Sequence, residues 1–118
     1  MAVFDLRLRS YQAHPGDTLY GWVGVVQGGT TRGLVAELRY EEETRSYTEA
    51  NTVVSTGPFY VGALQPGQDF AFTVQVPPDA KPAQNGNHGR LSWMLDLKSD
   101  QFGPDTHARV PVDVQLPA

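Results

Sequence analysis

Two runs of strict alternation constrain the fold of this chain more than anything else in it. Within Leu64 to Leu97, LQPGQDFAFTVQVPPDAKPAQNGNHGRLSWMLDL, the residues Phe70, Phe72, Val74 and Val76 stand at every second position, as do Leu91, Trp93, Leu95 and Leu97. A strand sends successive side chains to opposite faces, whereas a helix would space its apolar residues three and four apart. Both runs are therefore predicted as half-buried strands, separated by a long proline-bearing loop from Pro77 to Gly89.

The same period recurs along the chain. Phe4, Leu6 and Leu8 form one face of a first strand, with Asp5, Arg7 and Arg9 on the other. His14-Pro15-Gly16-Asp17 reads as a turn, because proline presets its φ and glycine accepts a positive one, and a second strand follows from Thr18 to Val26. Gly28-Gly29-Thr30-Thr31 breaks the pattern, which Leu34, Ala36, Leu38 and Tyr40 resume as a third strand. Glu41 to Val54 fits a solvated edge strand or hairpin, since its second half is rich in β-branched and aromatic residues and shows no helical stripe. A short strand over Phe59 to Leu64 closes at Gln65-Pro66-Gly67, and the last runs from Thr106 to Leu116. Pro111 has no N–H to give to a ladder, so it belongs on an edge strand or a bulge. Many short strands with no convincing helix predict an all-β, two-sheet antiparallel β-sandwich of immunoglobulin-like type, with residues 1–118 as one domain.

A chain of 118 residues can bury roughly two-thirds of its unfolded surface and needs no staples. It has no cysteine, which excludes disulfides, thiolate metal sites and a cysteine nucleophile, and fits a reducing compartment. Nine basic against thirteen acidic residues give a net charge of −4 with no polybasic block, which argues against nucleic acid as partner. No window reaches the ~18 to 20 consecutive apolar residues of a membrane span, and the N-terminal MAVFDLRLRS alternates where a signal peptide would be continuously apolar. A cytoplasmic location is expected.

The order of several short patterns resembles the arrestin-like β-sandwich superfamily, and within it the bacterial sporulation-control protein family. Pro15-Gly16-Asp17 followed by Gly21-x-Val23-x-Val25 is similar to the family's opening turn and second strand. Gly28-Gly29 with Leu34 and Leu38 is similar to its double-glycine turn and third strand. Leu64-x-Pro66-Gly67 leading to Phe70-x-Phe72 and Val76-Pro77 resembles the most characteristic stretch, and Leu95-Asp96-Leu97, Asp105 and Val110-Pro111-Val112 resemble the close. The resemblance implies an arrestin-like topology and a regulatory role in sporulation, stress response or cell-cycle control. Arrestins proper pair two sandwiches around a phosphate-sensing polar core, which maps onto no residues of this sequence.

Motifs that carry chemistry are missing. His14, His88 and His107 show no His-x-His or His-x-x-x-His spacing, and read as turn or surface residues, with no metal site. Glu41, Glu42 and Glu43 read as a solvated edge. Asp96, Asp100 and Asp105 surround a loop where oxygen ligands could meet a hard cation, but they lack a dense calcium-loop pattern and read as solvated turn acids. No G-x-S-x-G elbow and no phosphate loop occurs. Neither catalytic residues nor a cofactor are expected, and the chain reads as a non-enzyme.

The residue-level candidates lie on the second strand. If Gly21, Val23 and Val25 point inward, Tyr20 and Trp22 point outward, with no helix to cover them. An outward aromatic pair either marks an interaction surface or packs under a loop, and Arg7 and Arg9 on the outward face of the first strand read as a solvated face that can also pair with acidic groups of a neighbour. The expected function is a protein-interaction or adaptor module, binding a protein partner or forming a homodimer through this face, an edge strand or the Pro77 to Gly89 loop. The alternative is a carbohydrate-binding sandwich in which Tyr20, Trp22, Tyr40 or Tyr47 stacks on sugar rings.

Overall fold

The computed structural model describes residues 2–86, 89–101 and 105–117, and places ten strands in two sheets. The smaller sheet is antiparallel and consists of β1 (Val3–Leu8), β3 (Thr18–Gln27) and β7 (Asp69–Gln75), with β3 in the centre. The larger has the order β2 (Gln12–Ala13), β10 (Thr106–Val114), β9 (Gly89–Asp100), β4 (Gly29–Thr44) and β5 (Thr48–Ser55). Two further strands attach to it: β6 (Tyr60–Leu64) pairs with β4, and β8 (Gln84–Gly86) with β9. Among the described residues, only the two-residue β2 runs parallel to its neighbour.

The alternation that predicted the strands also fills the space between the sheets. Leu6 and Leu8, Leu19 and Val23, and Phe72, Val74 and Val76 project from the small sheet. They meet Ala36 and Leu38, Leu91, Trp93, Leu95 and Leu97, and Val112 and Val114 from the large one. Leu38, Leu95, Leu97, Val23, Val76 and Val114 are completely buried. A smaller cluster of Ala2, Val25, Leu34 and Leu64 closes one end beneath Phe4, Phe59, Tyr60 and Phe70.

Two glycines are fixed by close approach. A Cβ on Gly21 would run into the ring of Phe72, its register partner on β7. A Cβ on Gly28 would stand 2.5 Å from the backbone oxygen of Leu64. That contact accounts for the first glycine of the pair, whereas a Cβ on Gly29 would make only ordinary contacts with Ala2.

The structure differs from the sequence reading at three places. The apparent break at Gly28 to Thr31 is an irregularity inside a strand that starts at Gly29: the register slips between Thr31 and Leu34. Thr31 is buried there, accepting hydrogen bonds from Ser99 Oγ at 2.9 Å and from the Gly33 amide at 3.1 Å. The segment after Pro77 is no free loop, since Ala83 N donates to Val114 O at 2.7 Å and β8 pairs with β9. The final strand ends at Val114, leaving Leu116 exposed. Glu41 to Val54 forms the β4–β5 hairpin with β5 on the sheet's edge, as its composition predicts.

Candidate interaction surfaces

Burial along β3 alternates without a break from Leu19 to Val23, so its odd-numbered residues enter the core and its even-numbered ones leave it. Tyr20 is 44% exposed, Trp22 43% and Val26 61%. Register then assembles a surface around them. Trp22 lies between Arg7 on β1 and Ala71 on β7, and Tyr20 lies opposite Thr73. Just beyond β1, the Arg9 amide donates to the Tyr20 carbonyl at 2.9 Å, and its guanidinium sits 4.9 Å from the Tyr20 ring centroid. Such an exposed cation–π contact contributes about 0.5–1 kcal/mol and holds the arginine against the ring. Arg7 turns instead to Asp5, at 2.9 Å. All four residues singled out from the sequence thus lie on or beside the outer face of the small sheet, where Tyr20 and Trp22 line a shallow groove of about 280 Å³ with Ala71 and Thr73.

The outer face of the large sheet holds a cluster that the sequence reading missed. Asp96 sits between the core residues Leu95 and Leu97 and points the other way, yet its side chain has no exposed surface. It is covered by basic side chains from the two strands that flank β9, Arg39 on β4 and His107 and Arg109 on β10. His107 Nδ1 lies 3.0 Å from Oδ2 and 3.1 Å from Oδ1. Arg109 Nε approaches Oδ1 at 3.4 Å, and Arg39 Nη1 approaches Oδ2 at 3.6 Å. The register explains the meeting: Asp96 pairs directly with Arg109 on β10 and with Glu37 on β4, which places His107 and Arg39 on the diagonals. Asp96 is therefore a buried, paired carboxylate and no solvated turn acid. It is far from acting with its two presumed companions, because Asp100 pairs with Arg32 at 3.0 Å and Asp105 is exposed.

The remaining predicted residues disperse. His14 Nδ1 contacts the Gln115 carbonyl at 2.8 Å, across the turn that precedes β3, while His88 lies outside the described residues. Glu43 pairs with Arg90 at 3.2 Å, in keeping with a solvated edge. Among the described residues, no group of three or more His, Asp or Glu side chains is placed to hold a metal ion, and no helix is long and apolar enough to cross a membrane. The aromatic residues of the carbohydrate alternative do not share a face. Tyr40 packs against Trp93 with ring centroids 5.5 Å apart, and Tyr47 stands exposed between the two strands of the β4–β5 hairpin.

No family model matches the sequence, and no curated protein matches it by sequence. Among solved structures the chain is similar to Spo0M, the sporulation control protein of Bacillus subtilis, with a TM-score of 0.70 at 22% sequence identity. The fold is the arrestin-like sandwich. The match covers 98% of this chain and 50% of the other, so the chain spans half the length of that protein. At this identity the likeness is one of fold, and it bears out the resemblance to sporulation-control proteins at that level.

Proposed function

We propose that residues 1–118 act as one non-enzymatic domain, a cytoplasmic regulatory module in a bacterial control or stress process, which engages a protein partner or a second copy through the outer face of the small sheet. The observation that carries this reading is the uncovered row of Tyr20 and Trp22, two large aromatic side chains left more than two-fifths exposed on the central strand of a sheet. Their backbone is paired on both sides, with Ala71 and Thr73 beside them on β7 and Arg7 and Arg9 on and just beyond β1. Aromatic and arginine side chains dominate the few positions that provide most of the affinity at protein interfaces. The fold of a sporulation control protein supports the regulatory part of the reading.

The mechanism is surface complementarity, with Trp22 as the anchor. Truncating an anchor of this kind costs about 2 kcal/mol or more of binding, roughly 30-fold in affinity. The test is affinity capture from native lysate with the wild type and Trp22→Ala side by side, together with the sedimentation mass of each. Loss of a captured partner or of a dimer in the variant, at unchanged thermal stability, is expected. Equal capture and equal mass for the two proteins would overturn the proposal.

A further inference from the structure

The large sheet is longer than the small one, and where β4 and β9 run on past it a cleft of about 180 Å³ opens on the core-facing side. Alternation places Glu42 on the same face as Leu38 and Tyr40, so a carboxylate stands where the pattern has so far put core residues; its register partner is Leu91. Tyr40, Trp93, Leu91 and Val53 supply apolar wall around it. The opposite wall is Pro77 to Lys81, fixed by the Ala80 amide donating to the Pro77 carbonyl at 3.0 Å and by Trp93 Nε1 donating to the Lys81 carbonyl at 2.8 Å. Asp79 and Lys81 stand at the rim.

We propose that this cleft is a binding site for an arginine side chain presented by a peptide segment of a partner protein. Size sets the first limit. Ligand pockets for drug-sized molecules run to about 300–1,000 Å³, so a cleft of about 180 Å³ suits a single long side chain. Chemistry sets the second. An occupant must lay an apolar body against Leu91, Val53 and the Tyr40–Trp93 pair and bring a polar head to Glu42 and Asp79. Arginine does both, because its methylene stem covers apolar surface while its planar guanidinium stacks on aromatic rings and bonds carboxylates through a fork of donors. Charge sets the third. Among the described residues, the side chains of Glu42 and Asp79 have neither a hydrogen bond nor an ion pair, and the lining Lys81 reaches neither carboxylate within 4.0 Å. Two carboxylates against one ammonium leave the lining with one uncompensated negative charge. This site is separate from the Tyr20–Trp22 face and stands or falls without it.

The test uses the whole chain and the probe acetyl-Gly-Arg-Gly-amide, with the citrulline peptide as its neutral isostere. Nitrogen–proton NMR follows the indole N–H of Trp93, told apart from that of Trp22 by a Trp22→Phe sample. The arginine probe is expected to shift the Trp93 indole and the Ala80 and Glu42 amides, saturating at roughly millimolar concentration. Citrulline, Glu42→Gln and Asp79→Asn are each expected to weaken binding about fivefold, the upper range for a partly exposed ion pair. Thermal midpoints near that of the wild type establish that both variants are folded, and the exposed Asp79 supplies the measurement if Glu42→Gln is not. Absence of a saturable shift at Trp93, an equal response to citrulline, or shifts confined to Tyr20 and Trp22 would each overturn the proposal.

Discussion

Replacing Asp96 by asparagine tests whether the buried carboxylate is held by the basic side chains around it. Asparagine keeps the shape of the side chain and removes its charge, and its N–H2 group then faces donors on Arg39, Arg109 and His107. The shortest contact, from His107 at 3.0 Å, is a hydrogen bond to a charged acceptor that has no exposed surface, worth about 1.5–3 kcal/mol. The arginines stand farther away, at 3.4 and 3.6 Å, and their side chains are 54% and 28% exposed. Freed of Asp96 they regain water, so together they add less than about 1 kcal/mol. Against this, the neutral amide costs less to bury than the carboxylate. The balance is a loss of about 2 kcal/mol, or roughly 6–12 °C in the midpoint for a domain of this size. Urea denaturation measures it, with an unchanged m-value showing that the compactness of the two states is preserved. Asp100→Asn is the control: its pair with Arg32 is also 3.0 Å long, but the two side chains are 50% and 52% exposed, and the expected loss is under about 1 kcal/mol. If the two variants lose the same stability, the argument from burial is wrong.

Leu95→Ala empties a fully buried site between the sheets and is expected to cost about 2–5 kcal/mol in the same titration. Gly28→Ala forces a methyl against the backbone oxygen of Leu64, which has no rotamer to escape through, and is expected to cost about 1–3 kcal/mol. Trp22→Ala is expected to move the urea midpoint by less than about 0.5 kcal/mol equivalent, so that a loss of binding in that variant reports on the surface and not on the fold.

The parts of this molecule that repeat along the chain were legible in its sequence, and the parts made by register were not. Phe70 to Val76 and Leu91 to Leu97 announce their buried faces locally, because period two needs no knowledge of neighbours. The outward placement of Tyr20 and Trp22 follows from the same parity once Val23 and Val25 are taken as core. Asp96 is different. Its partners sit on two other strands, β4 and β10, and no local pattern declares the register in which those strands meet β9. One signal was present: Asp96, His107 and Arg109 all have outward parity on consecutive strands, and pairing Ser99 with Thr106 would have brought Asp96 opposite Arg109. The strands β2 and β8 were missed because two and three residues cannot display a period. Glu42 was taken for part of a solvated run, although alternation within that run already separates it from Glu41 and Glu43.

The two flanks of the large sheet are not equivalent. Asp113 on β10 and Gln115 just beyond it give their amides to the carbonyls of Tyr11 and Ala13, on the side away from β9. Pro111 has the same parity, so its missing N–H falls on that outer flank, just where β2 stops. One flank is thus capped by a clip and a gap in its donors, while β5 on the other carries neither proline nor a covering strand among the described residues. A sheet with two receptive borders can add copies without end; with one, addition closes after a single pairing. A strand added to the large sheet is therefore expected at β5, and not along the end of β10 that β2 covers.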